Sequence, residues 1–194
     1  GYFFFESNIS YQPPVELIDF FFFFDLPVCV SFGSMVHRDA EKIDRVVRSA
    51  VKQTGQRGVI LSGWGSVKQS LSKDLFYLDA IPHDWLLPRC RMIIHHGGAG
   101  TTSAGLRAGI PNIVVPFMAD QPFWGKRVYV NGAGPKPIFV KSLSVDKLGD
   151  AIVEAESKTI RERAQTIGQN IRSEAGVYHA IRLIESCLHG TAIF

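Results

Sequence analysis

Apolar residues in this chain alternate between short compact runs and longer stretches in which they recur every three or four positions. Val28, Cys29, Val30, Ser31 and Phe32 form a compact, β-branched run closed by Gly33 and Ser34, which predicts a strand over 28–32. Ile43, Val46, Val47, Ala50 and Val51 then fall on one helical face, which predicts a helix from about 39 to 54. The same reading predicts strands at 59–61, 75–78, 92–95 and 113–115, a helix opening near Thr101, a helix over 121–130 and a short strand near 138–140. From 144 to 188 the spacing predicts three helices, the first opened at Ser144 by a partial capping pattern. Strands alternating with helices predict an α/β fold, a Rossmann-like parallel sheet with helices on both faces. Residues 1–27 read as a linker segment leading into one domain over 28–194. That segment has an aromatic start, a turn at Pro13 and Pro14, a short helical pattern through Leu17 and Ile18, and five consecutive phenylalanines at 20–24.

Composition narrows this picture. With 194 residues the chain has room for one compact domain. Its net charge of +3 is spread without a block of like sign, which argues against nucleic-acid binding and suits a small anionic ligand. Cys29, Cys90 and Cys187 are odd in number and contain no C-x-x-C pair, so neither a disulfide scaffold nor a zinc site is expected. Reduced, mostly buried thiols in a cytoplasmic protein are expected instead. The run at 20–24 is far short of the ~20 residues that span a bilayer, and no transmembrane segment is expected.

Ligands of such sheets bind beyond the carboxyl ends of the strands, which here singles out Gly33 with Ser34, the 80–83 loop, and 95–102. The last reads His95-His96-Gly97-Gly98-Ala99-Gly100-Thr101-Thr102, after an apolar strand and before a helix rich in small residues. Glycines admit a ligand close to the backbone, and free N–H groups at a helix start attract phosphate oxygens. His96 and Thr101 add side-chain donors, and the alternative is a tight turn that merely needs glycine. The spelling excludes a P-loop, because no Lys-Ser/Thr follows the second glycine. It also excludes the dinucleotide fingerprint, because the glycine after Gly98 and Gly100 stands at 105 rather than 103.

These residues resemble a known family. His96 to Thr102, Ala108-Gly109-Ile110-Pro111, Val115-Pro116-Phe117 and Asp120-Gln121-Pro122-Phe123-Trp124-Gly125 look like the donor-binding, C-terminal half of GT-B glycosyltransferases of family 1. The likeness is greatest to sterol 3-beta-glucosyltransferases and their bacterial relatives. Further matches are Ser31-Phe32-Gly33-Ser34-Met35, Thr54-Gly55-Gln56-Arg57-Gly58, Gly63-Trp64-Gly65, Pro82-His83-Asp84-Trp85-Leu86 and Gly132-x-Gly134-Pro135.

The resemblance implies that Ser34, His96, Gly98, Ala99, Gly100 and Thr101 surround the diphosphate of a UDP-sugar such as UDP-glucose. It implies that Ile81, Pro82 and His83 hold the base, and that Asp120 and Gln121 bind the sugar hydroxyls. Each residue also has a plainer reading: Ser34 as a turn residue, His83 as a solvent-facing loop residue, Asp120 as a helix N-cap, Trp85 as a packing anchor. His95 with His96 reads as a donor-phosphate pair. No metal and no cofactor are implied.

Two features depart from the family. The position where plant-type members bind ribose through an acidic residue is Ala104 here, and the phenylalanines at 20–24 replace a polar helix end, predicting an exposed apolar patch. The resemblance places the general base and the acceptor pocket in an N-terminal domain, so no residue of this chain is expected to be the base. The chain alone is expected to be inactive and prone to self-association or dependence on that half. The implied function is the donor half of an enzyme moving a hexose to a sterol or other lipophilic hydroxyl, cytoplasmic with possible peripheral membrane contact. The alternative is a nucleotide-sugar binding module without catalysis.

Overall fold

In the computed structural model, residues 11–22, 25–32, 40–61 and 73–188 are described. Five strands form one sheet: β1 (Val28–Ser31), β2 (Gly58–Leu61), β3 (Leu75–Leu78), β4 (Met92–His95) and β5 (Asn112–Val114). All pair in parallel, in the order β3-β2-β1-β4-β5. The helices are α1 (Val15–Phe22), α2 (Ala40–Gln53), α3 (His83–Leu86), α4 (Ala99–Ala108), α5 (Gln121–Val130), α6 (Val145–Ala155), α7 (Lys158–Ser173) and α8 (Gly176–Leu188).

The strands read as unbroken apolar runs because both faces are covered. Val28, Val30, Met92, Ile94 and Ile113 point to one side, where Ile43, Val47 and Val51 of α2 and Leu148 and Ile152 of α6 meet them. Cys29, Val59, Phe76 and Ile93 point to the other, against Leu17 and Phe20 of α1 and Leu86 of α3. The period of two along each strand thus divides the chain into two half-cores. Ser144 caps α6 as its spelling suggests, its side chain accepting from the Lys147 N–H at 3.3 Å.

The predicted strand near 138–140 does not form. Ile138 and Val140 donate to the carbonyls of Val114 and Pro116 at 3.0 and 3.3 Å, so this segment does run beside β5. In a parallel ladder the return bond comes from the N–H between those two acceptors, at position 116, to the carbonyl of Ile138. Pro116 has no N–H, so the ladder cannot close and a 3₁₀ turn follows at Val140–Ser142.

The lead-in residues are also not simply peripheral. Phe20 is only 9% exposed, meets Phe76 at 5.5 Å between ring centroids, and lies 3.7 Å beneath the Arg57 guanidinium. Phe22 is 81% exposed, so the expected apolar patch exists in part; Phe21 is half-buried, and positions 23 and 24 lie outside the described residues. Cys29 and Cys90 are buried while Cys187 is exposed on α8.

One close approach locks the edge of the sheet. A methyl group on Gly134 would overlap the backbone carbonyl of Asn112, which rigid backbone cannot yield. Gly134→Ala is therefore expected to lower unfolding stability in urea by roughly 1–3 kcal/mol, the cost of overpacking. An unchanged denaturation midpoint would show that the segment can move aside.

Candidate functional site

The strand order reverses between β1 and β4, and in such sheets the crevice at the reversal is where ligands bind. The loop after β4 lies there. The loop after β1, including Ser34, lies outside the described residues, as do Gly63 to Gly65.

From His95 the chain turns through Gly97, at φ +92°, into α4, with Gly98 at the N-cap position and no side chain capping the helix. The first N–H groups of a helix have no partners within it. Those of Ala99, Gly100 and Thr101 are therefore open at the positive end of the helix dipole. Thr102 and Ser103 turn their hydroxyls back to the carbonyls of Gly98 and Ala99, at 2.9 and 2.7 Å, whereas Thr101 is half-buried and makes no such bond.

The three glycines of this turn are there for different reasons. A Cβ on Gly97 would come within 2.7 Å of Val114 Cγ1, besides the positive φ. A Cβ on Gly98 would come within 2.5 Å of His96 Nε2. Nothing lies within 4 Å of a Cβ on Gly100. Glycine within a helix costs ~1 kcal/mol relative to alanine. Packing and the positive φ require Gly97, a Cβ on Gly98 would displace the His96 ring, and Gly100 is left unexplained.

His96 is half-buried beside this turn, and its Nδ1 is buried without a hydrogen-bond partner. Burial pushes its pKa down, against the opposing pull of the Ser31 carbonyl and the Asp120 carboxylate. The imidazole is thus neutral at neutral pH and carries a single N–H, for which the Ser31 carbonyl and a bound anion would compete.

His95 departs from its expected role as a phosphate ligand. It is fully buried, with Nε2 3.1 Å from Asn112 Oδ1 and Nδ1 accepting the Gly97 N–H at 3.1 Å. Burial pushes its pKa down to about 3. His83 is not a solvent-facing loop residue either: it is partly buried at the first position of α3, and burial lowers its pKa. Ile81 is buried and Pro82 stands at the N-cap position of α3. Trp85 packs against Tyr11 and Phe21, at 5.5 and 5.9 Å, with the Arg89 guanidinium 4.4 Å over its ring, which is the packing role.

Asp120 and Gln121 are adjacent but face apart. Asp120 is exposed and occupies the N-cap position without capping α5 through its side chain, and its Oδ2 accepts from Trp124 Nε1 at 2.8 Å. Gln121 is buried, and its Oε1 accepts the N–H groups of Phe117 and Met118 at 2.8 and 3.1 Å. That oxygen holds the turn after β5, where Ala119 sits at φ +53°. Two contributors escaped the sequence reading: Asn112, a polar residue heading an apolar strand, and the Ser31 carbonyl.

Ala104 is partly buried against the half-core of α1 and α3. A separate groove of about 480 Å³, lined by Arg45, Arg48, Lys52 and Asp74 among others, opens beside the amino ends of β2 and β3, away from this crevice. Among the described residues no group of three His, Cys, Asp or Glu is placed to hold a metal ion, and no helix is long and apolar enough to cross a membrane.

The family of EryCIII-like proteins (erythromycin biosynthesis protein CIII-like, C-terminal domain) matches residues 59–178. Sterol 3-beta-glucosyltransferase UGT80A2 of Arabidopsis thaliana is 42% identical over 184 residues, which cover 94% of this chain and 29% of that protein. The chain thus spans less than a third of that relative. Among solved structures, the glycotransferase of kitacinnamycin superposes with a TM-score of 0.73 at 23% identity, covering 92% of this chain and 46% of that one. The spinosyn rhamnosyltransferase SpnG complexed with thymidine diphosphate gives 0.69 at 21% identity, covering 83% and 45%. At these identities the structural likeness concerns the fold.

The histidines give the fold a pH dependence. A base whose pKa falls on folding binds fewer protons in the native state, so its contribution is complete above the unfolded pKa near 6.5 and is lost as pH drops toward the folded value. For His95 that window runs from 6.5 to about 3. His83 and His96 act with the same sign. Urea denaturation at pH 7 and pH 5 is expected to show a loss of roughly 2 kcal/mol from His95 alone, at ~1.4 kcal/mol per unit. Equal stability at both values would mean that His95 is protonated in the native state.

Proposed function

Because the chain belongs to the EryCIII-like C-terminal domain family of GT-B glycosyltransferases, we propose that it is the donor-binding part of an enzyme that transfers a hexose from a UDP-sugar to a sterol or other lipophilic hydroxyl. The observation that carries the donor site is Gly100, a helical glycine that the protein's own packing does not require, beside uncapped N–H groups. Space and donors together are what a diphosphate needs at a helix start. The sterol relatives support the acceptor class, and the thymidine diphosphate bound to SpnG supports a nucleoside diphosphate as the ligand class.

In this reading the diphosphate lies against Gly98, Ala99, Gly100 and Thr101, with His96 as a neutral N–H donor and Ser34 closing from the loop after β1. Ile81, Pro82 and His83 face the base. Asp120 accepts from sugar hydroxyls, and Gln121 holds the turn that presents it. As the anomeric bond breaks, charge grows on the departing diphosphate, so donors already aimed there stabilise the transition state more than the ground state. The acceptor hydroxyl and its base belong to the part of the enzyme beyond this chain.

Calorimetry with UDP tests the site. Gly100→Ala is expected to weaken UDP at least about tenfold while leaving unfolding stability unchanged or raised by up to ~1 kcal/mol. His96→Ala and Thr101→Val should each cost roughly 1–2 kcal/mol of UDP binding. Wild-type affinity in all three variants would place the diphosphate elsewhere.

The sugar contacts separate by ligand. Asp120→Ala is expected to weaken UDP-glucose while UDP stays nearly unchanged. Gln121→Ala should instead lower stability by roughly 1–3 kcal/mol, because two amides lose their acceptor. Equal losses for UDP and UDP-glucose with Asp120→Ala would remove it from the sugar site.

A further inference from the structure

His95 and Asn112 are both fully buried polar side chains, set where the rest of that sheet face is apolar. The register explains how they meet. Ile93 pairs with Asn112 and His95 with Val114, so His95 and Asn112 stand diagonally across β4 and β5 on one face. Helix α4 covers them, and it can do so because a Cβ on Gly105 would overlap the Asn112 side-chain oxygen.

The bonds fix every atom of the pair. Asn112 Nδ2 donates to the Ile110 carbonyl at 2.8 Å, which turns Oδ1 toward His95. His95 Nε2 therefore carries the proton and donates to Oδ1 at 3.1 Å. Nδ1 is then a lone pair, and it accepts the Gly97 N–H at 3.1 Å. A side chain accepting from the amide two residues on is how Asn and Asp build turns. Here an imidazole does it, from the last residue of β4, and Gly97 enters its positive φ at that point.

We propose that His95 is a positioning residue of the diphosphate loop: its ring, fixed as one tautomer between Asn112 and Gly97, sets the turn that aims the amides of Ala99, Gly100 and Thr101. This rests on the donor-site reading for its purpose, while the turn itself is a property of the free protein. His95 touches no ligand and acts through the backbone. Its burial keeps the ring uncharged, which the arrangement requires, since a second ring proton would face the Gly97 N–H.

Two variants separate positioning from packing. His95→Asn keeps an acceptor within reach of the Gly97 N–H, and His95→Phe keeps ring volume without one. Both lose the bond to Asn112 and both lower global stability, so a purely structural role makes them alike. Positioning makes them differ. In the ligand-free protein, His95→Phe is expected to speed hydrogen exchange of the Gly97 amide by about tenfold beyond the change in global stability, and His95→Asn by less than about threefold. UDP affinity should follow, falling about tenfold in His95→Phe with His95→Asn within about threefold of wild type.

Nitrogen-15 spectra of the wild-type imidazole should show a protonated Nε2 and bare Nδ1 from pH 5 to 8. A protonated Nδ1, or equal Gly97 exchange in the two variants, overturns the proposal even if His95→Phe folds poorly or not at all. Failure of the wild type to bind UDP falls on the donor-site reading alone, because the exchange and tautomer measurements need no ligand.

Discussion

The close approach of α4 to the carboxyl ends of β4 and β5 is the constraint on which the rest of the site depends. A helix start can offer its amides to an anion only where the preceding strand delivers it, and here the delivery takes three residues, 96–98. Such a short turn must contain a positive φ, supplied at Gly97, and must leave room for His96, supplied by the missing Cβ of Gly98. It also brings the middle of α4 down onto Asn112, which Gly105 permits. Remove any of these allowances and α4 moves outward, carrying its amides away from the sheet reversal.

The same crowding accounts for the end of the sheet. Asn112 takes Gly105 over its side chain and Gly134 against its carbonyl, and its own N–H donates to Ala133. Beyond it, Pro116 withholds the donor a sixth strand would need, and Gln121 occupies the amides of Phe117 and Met118. The chain after β5 is therefore free to leave the ladder and curl into the turn that exposes Asp120. A completed strand there would have tied the turn to the sheet.

Much of this was legible in the sequence. β3 and β4 fall where periodicity puts them and α2 within a residue of it, because an apolar run with both faces covered and a helix with one buried apolar stripe each leave a plain trace. The glycine turn was legible for the same local reason. What was not legible depends on which way a side chain points. Gln121 reads like a partner of Asp120, yet adjacent positions at a helix start face apart, and one of them turns inward. His95 and His96 read as a pair, but the last residue of β4 points into the half-core while the next has left the strand. Asn112 was the available signal for the buried pair, since a polar residue inside an apolar strand needs a partner. The failed strand at 138–140 was foreseeable only with its neighbour in hand, because the missing N–H belongs to Pro116.

The electrostatics follow from the burial. The residues assigned to the diphosphate carry no formal charge: His96 is pushed toward its neutral form, and the others contribute backbone amides or a hydroxyl. In the proposed donor site, attraction for the anion would come from oriented dipoles, which strengthen where water is excluded and need no reorganisation as charge grows on a leaving group. An imidazolium at position 96 would bind any phosphate more tightly, before and after the bond breaks, and would so favour retention of the spent diphosphate. Neutral donors held rigidly favour the state in which charge is developing, and in the proposed arrangement the buried pair of His95 and Asn112, bonded to each other and to the Gly97 N–H, would supply that rigidity.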